Sequence, residues 1–135
     1  WVHSITRYKI AKRLNNHRIG LEPINVCIQV KIDADDERES ISRHEVRELM
    51  DQIKDLENIK LRGLMGISTP DSSIDERRNG FSRLYQLYKD LNDEDYGLDT
   101  LSMGMSDDFK IAIQNGSNMI RIGTVLFGKR RIRNA

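Results

Sequence analysis

Four residues near the end of the chain, Ser106, Arg121, Gly123 and Thr124, have the types and spacing to hold an anion. A serine hydroxyl beside free backbone N–H groups at a helix N-terminus, a Gly-Thr pair near the end of the next strand and an arginine two residues earlier can converge on a phosphate. A phosphorylated small molecule is the ligand class this implies. The same residues admit a structural use, in which Ser106 only caps a helix and Arg121 pairs with a carboxylate, and spacing alone leaves both readings open.

Other chemistry-bearing residues carry less. Asp107 and Asp108 can be read as paired general acids and bases, but first-turn acids after an N-cap are the commoner explanation. His3, His17 and His44 show no metal-ligand spacing with one another or with Cys27, and surface or structural roles are expected for all three. Cys27 lies in an apolar run and reads as a small buried hydrophobe. The acidic stretch DADDERE at 33–39 lacks the mid-loop glycine and spaced terminal glutamate of a calcium loop, so it reads as a solvated connection.

The elements that must position the four residues can be read from patterning. Thr100 to Met105 alternates small polar with large apolar residues, as a strand with two different faces does. Ser106 as N-cap, Asp107 and Asp108 in the first turn and Gly116 at the C′ position predict a helix of about three turns. Met119 to Phe127 is rich in β-branched and apolar residues and reads as the next strand, with Arg121 and Gly123 on one face and Ile120, Ile122 and Thr124 on the other. Strand, helix and strand make a βαβ unit with parallel strands and a right-handed crossover.

Upstream, the same alternation recurs. Trp1–Thr6 is β-like, and Arg7–Asn15 has helical spacing. The run INVCIQVKI at 24–32 is apolar enough for a strand covered on both sides. Ser42 and Glu45 form a capping-box pair opening a helix to about Leu56. KLRGLMGIST at 60–69 is a strand whose Gly63 and Gly66 suggest close backbone approach, and from Glu76 an apolar stripe with Phe81, Tyr85 and Tyr88 marks a helix packed on a core. The order β-α-β-α-β-α-β-α-β is that of an α/β domain.

Composition narrows the class further. The 22 basic and 21 acidic residues leave a net charge of +1, which gives no reason to expect nucleic acid or an anionic membrane as partner. The basic run KRRIR at 129–133 reads first as a solvated terminus. A single cysteine excludes an intramolecular disulfide and makes a reducing cytoplasm the default, and no apolar run reaches the roughly 18 residues of a membrane span. The chain is 135 residues long, against about 250 for a full β/α barrel. It begins at Trp1 with a strand already under way, which reads as part of a longer protein.

Two motifs carry a family resemblance. S-x-G-M-S-x-D over Ser102–Asp108, followed by R-I-G-T-x-x-F-G over Arg121–Gly128, resembles the C-terminal signature of the pyridoxal-phosphate homeostasis proteins, relatives of the alanine racemase N-terminal barrel. HSITR at 3–7, the NVCIQVKI strand and LRGLMGIST at 61–69 follow in that family's order. The resemblance implies a partial (β/α)8 TIM barrel, alanine racemase N-terminal-domain-like, in which these five parallel strands are the fourth to eighth. Residues 1–128 would be the C-terminal portion of that pyridoxal 5′-phosphate-binding barrel, and 129–135 a basic tail.

The resemblance also implies a cofactor and its ligands. Ser106 would bind the phosphate of pyridoxal 5′-phosphate through its hydroxyl, Gly123 and Thr124 through backbone N–H groups and the threonine hydroxyl, and Arg121 would face the pyridine nitrogen. The family's Schiff-base lysine belongs to the first strand, upstream of Trp1, and has no counterpart here. Lys31 stands where the family has Asn, and RES at 38–40 where it has KSG. The implied function is non-catalytic intracellular cofactor homeostasis. Two alternatives are an amino-acid racemase or decarboxylase relative, and a truncated barrel without ligand whose open edges favour self-association.

Overall fold

Short β-branched runs alternating with amphipathic segments fold here into strands and crossover helices. The computed structural model of the protein describes residues 1–129. In chain order the elements are β1 (Val2–Ile5), α1 (Tyr8–His17), β2 (Ile24–Gln29), α2 (Val46–Ile53), β3 (Ile59–Gly66), α3 (Ile74–Asp93), β4 (Thr100–Met105), α4 (Phe109–Gln114), β5 (Met119–Arg121) and α5 (Thr124–Phe127). All pairings are parallel, and the sheet order is β1-β2-β3-β4-β5.

Sequential parallel order with right-handed crossovers puts the connecting helices on one face and leaves the other as the wall of a barrel. The core between sheet and helices follows this division. Val26 and Ile28 of β2, Leu64 of β3 and Leu101 and Met103 of β4 pack with Met50, Ile53, Phe81, Leu84 and Leu87 of the helices. On the other face, His3 of β1 and Ser102 of β4 are hydrogen-bonded at 2.8 Å although β2 and β3 lie between them. In a flat sheet those strands would stand about 14 Å apart. The sheet is therefore curled about this face.

Several boundaries differ from expectation. β2 ends at Gln29, after which Val30 forms a single bridge with Ile41 from the following loop. Its residues alternate, with Val26 and Ile28 toward the helices, so it is not uniformly apolar on both faces. Cys27 is fully buried, as expected of a small hydrophobe, and burial pushes its thiol up to about 11. The Glu45 carboxylate accepts from the Ser42 N–H at 2.9 Å, but α2 begins only at Val46 and ends at Ile53. A complete capping box forms instead between Ser73 and Glu76, and it starts α3 at Ile74, two residues before the expected Glu76.

The signature region holds the larger corrections. Ser106 does not cap α4. Asp108 is the N-cap residue, its carboxylate turns back to accept the Met105 N–H at 2.7 Å, and the six-residue helix starts at Phe109. Gly116 does take the left-handed conformation expected after the helix, at φ +93°. β5 stops at Arg121, and Thr124 opens the short helix α5 instead of continuing a strand to Phe127. The reason is that β4 ends at Met105, opposite Arg121, so β5 has nothing further to pair with. Asn118 completes the β4 edge: its Oδ1 accepts from Leu101 N–H and its Nδ2 donates to the Asp99 carbonyl, each at 2.8 Å. Apart from Lys129, the KRRIR run lies outside the described residues.

The two strand glycines differ in what they allow. A Cβ on Gly63 would sit 1.6 Å from the Thr100 carbonyl oxygen, so β3 and β4 can approach there only without a side chain. A Cβ on Gly66 would meet the side chains of Leu84 and Ile32 instead. Gly63→Ala is expected to destabilise the chain by about 3 kcal/mol or more in urea unfolding, the upper range of overpacking. Gly20→Ala, at a left-handed position with open space around it, should cost only about 1 kcal/mol.

Candidate functional site

Parallel strands in sequential order bring all their C-terminal ends to one rim, and a cavity of about 890 Å³ opens there. Its walls come from the segments after four strands: Arg38 after β2, Ile67, Ser68 and Pro70 after β3, Ser106 to Asp108 after β4, and Arg121 to Thr124 at and after β5. Arg77 from α3 and Lys129 also reach it. Four basic side chains (Arg38, Arg77, Arg121, Lys129) against two acidic ones (Asp107, Asp108) make the lining suited to an anion.

The four residues singled out by spacing all line this cavity. Ser106 and the Gly-Thr step are brought together directly: the Val125 N–H, in the first turn of α5, donates to Ser106 Oγ at 3.1 Å. Gly123 and Thr124 precede that N–H and are solvent-facing, so the turn after β4 and the start of α5 form one donor-bearing lip. Arg121 is half-buried. One guanidinium nitrogen donates to the Gly66 carbonyl at 3.1 Å and the other to the Ser102 hydroxyl, and burial presses its pKa down. A guanidinium remains charged all the same and only donates.

Asp108, expected as a first-turn acid, is instead a buried brace. Its carboxylate accepts from the Ser68 hydroxyl as well as from Met105 N–H, and Arg77 Nη1 stands 3.9 Å away. It ties the turn after β4 to the loop after β3. Asp107 is exposed. His17 and His44 are exposed as expected, whereas His3 lies on the inner face against Ser102. Among the described residues no group of three or more His, Cys, Asp or Glu side chains could hold a metal, the 33–39 loop included.

Arg38 and Arg77 escaped the sequence reading. Arg38 stands in the stretch flagged as departing from the family pattern, where its guanidinium grips Asp36 through Nε at 2.7 Å and Nη2 at 2.9 Å. The same Nη2 donates to the Ile67 and Ser68 carbonyls, each at 3.1 Å, joining the loops after β2 and β3. No periodicity marks such a residue, since the two carbonyls it reaches toward the cavity lie about 30 positions away. Arg77 looked like one more charge on an amphipathic helix, yet it donates to the Ser72 and Pro70 carbonyls.

A model of the alanine racemase N-terminal domain matches residues 1–131. The chain belongs to this family. Within it, the chain is similar to proteins named pyridoxal phosphate homeostasis protein from Pseudomonas aeruginosa, 46% identical over 131 residues, and from Escherichia coli K12, 40% identical over 131 residues. Each alignment covers 96% of this chain and 56% of the relative, so the chain spans little more than half the length of these family members. Two structures of PipY from Synechococcus elongatus also match. The one without PLP has a TM-score of 0.85 and 31% identity over 95% of this chain and 61% of PipY. The one with PLP bound has 0.82 and 28% over 95% and 60%. Alanine racemase of Clostridium difficile, at 18% identity and a TM-score of 0.73 over 93% of this chain and 35% of the enzyme, shares the fold. The five parallel strands are thus part of a TIM-barrel-like, alanine racemase N-terminal fold, as the sequence led us to expect. No helix among the described residues is long and apolar enough to cross a membrane.

The rim has a defined acid limit. Burial pulls the Asp36 carboxyl upward, but the Arg38 guanidinium and backbone N–H outweigh it and hold the group below the usual carboxylate range. Its contribution is therefore fully present above about pH 4 and lost as pH falls through the lowered value. Following the Arg38 Nε–H resonance through an acid titration should show it protected down to that range, and Asp36→Ala should remove the protection at every pH.

Proposed function

We propose that the chain is the C-terminal part of a pyridoxal 5′-phosphate-binding barrel that keeps the cofactor in cellular circulation without catalysing a reaction on it. The observation that carries this reading is the Val125 N–H to Ser106 bond, which draws the turn after β4 against the Gly123–Thr124 step beside Arg121. In this reading the Ser106 hydroxyl, the Gly123 and Thr124 N–H groups and the Thr124 hydroxyl hold the phosphate, and Arg121 faces the pyridine ring. In this reading residues 1–128 carry the barrel portion.

The residues present fit such a group. The cavity has the volume of an ordinary small-molecule site, its lining favours an anion, and the ring end of the site would meet a donor fixed by two hydrogen bonds. When bound, this cofactor supplies an electron sink through its protonated pyridine ring. Arg121 opposes that protonation, because it is a charged donor with no acceptor capacity. Asp108 is already committed to Ser68, Met105 and Arg77, which leaves it poorly placed to move a proton to a substrate. Both features favour holding over chemistry. The similarity to homeostasis proteins and to PLP-bound PipY supports the same ligand. The single buried cysteine agrees with a cytoplasmic setting.

Calorimetric titration compares pyridoxal 5′-phosphate with pyridoxal, which lacks the phosphate. The phosphate ester should bind at least about tenfold more tightly, and Ser106→Ala should erase most of that margin, consistent with one charge-assisted hydrogen bond. Equal binding of the two compounds would sink the reading, and turnover of alanine between its enantiomers by the cofactor-loaded chain would sink its non-catalytic part.

Self-association through the sheet edges belongs to the same proposal. β1 and β5 are the edge strands, and Ile120, Val125, Leu126 and Phe127 beside β5 are exposed. Sedimentation of the 15.7 kDa chain should give a concentration-dependent mass above the monomer. A monomer at all concentrations would refute it.

A further inference from the structure

The inner face of the sheet holds a chain of three side chains that the phosphate site does not use directly. Arg121 donates to the Ser102 hydroxyl, and Ser102 Oγ lies 2.8 Å from His3 Nδ1. Ser102 is fully buried, so these two groups are its partners without help from water. The serine oxygen accepts from Arg121, and among the described residues His3 Nδ1 is the one acceptor within reach of its buried O–H, which is satisfied only by donating to the histidine. His3 Nδ1 must then be unprotonated, with the ring proton on Nε2.

We propose that Ser102 and His3 are positioning residues for Arg121, fixing its guanidinium toward the ring end of the cavity only while His3 is neutral. The inference rests on the reading of Arg121 as the group facing a pyridine ring. Protonated His3 would carry a hydrogen on Nδ1, which leaves the buried Ser102 O–H without an acceptor and sets a second cation against the Arg121 guanidinium across a single serine oxygen.

The surroundings favour the neutral form. Burial lowers the His3 pKa first, and the Arg121 guanidinium from β5 lowers it further. The Trp1 ring packs against His3 at 5.9 Å, and beyond it lie Arg62 of β3, 4.8 Å from that ring, and its partner Asp99 before β4. Cys27 of β2 remains a neutral thiol at about 11. A histidine value lowered on folding means the arrangement is fully present above the ordinary histidine value and lost as pH falls through the lowered one.

The test reads the ring nitrogens of histidine and the guanidinium nitrogens of arginine by NMR in the ligand-free chain, from about pH 8 to about pH 5, in wild type, Ser102→Ala and His3→Asn. At the upper end His3 should carry its proton on Nε2 and the Arg121 Nη–H groups should exchange slowly. As His3 protonates, that protection should fall about tenfold, the scale of one charge-assisted bond. Asn at position 3 offers an acceptor that does not titrate, so its Arg121 should stay protected across the range, while Ser102→Ala should lose protection throughout. A His3 proton on Nδ1 at high pH, or the same pH response in wild type and His3→Asn, overturns the proposal. The second comparison decides it even if Ser102→Ala fails to fold.

With pyridoxal 5′-phosphate added, wild type should lose more affinity on acidification than His3→Asn. An equal loss in the two proteins overturns the positioning role. Absence of binding by both overturns the ligand assignment instead, and the ligand-free spectra still decide the role of His3.

Discussion

Parallel pairing in chain order is the constraint from which the rest follows. Once each strand lies beside its successor in the same direction, the crossovers share one face, the strand ends share one rim, and the sheet can close on itself only by curling away from the helices. Every group that lines the cavity is placed by that geometry. Ser106 meets the first turn of α5 because β4 and β5 end side by side, at Met105 and Arg121.

The curl is held at two depths. Near the rim, Arg38 and Asp108 tie the loop after β3 to the loops after β2 and β4. Deeper on the inner face, His3 and Ser102 join strands that are not neighbours, and Arg121 reaches from β5 to the Gly66 carbonyl at the end of β3. These contacts are polar and directional, and all but the Arg38–Ile67 bond are buried or half-buried. Their loss would cost both the desolvated groups and the shape of the cavity. A wall built from leucine alone would fix neither.

How much of this was legible in the residues depended on whether the information was local. The strand at Thr100–Met105 was read to the residue, because alternation over six positions is a property of the segment itself. The left-handed Gly116 was equally local. Ser106 lines the cavity, but not by the route its position suggested: it does not cap α4, and the N–H it accepts belongs to α5, 19 positions away. The end of β5 was misread because a strand stops where its neighbour stops, and nothing between Met119 and Phe127 says where β4 ends. Arg38 and the His3–Ser102 pair depend on contacts between distant segments. A serine in a strand or an arginine in a loop does not advertise its partner.

Asn118 has a consequence for the lifetime of the molecule. Its amide stands in for a missing strand residue, donating to the Asp99 carbonyl and accepting from Leu101. Hydrolysis of that one amide to a carboxylate would exchange a donor for an acceptor facing a carbonyl oxygen. Slow chemical ageing at a single surface position would then loosen the first step of the β4–β5 pairing while the ladder from Ser102 to Met105 stays in place.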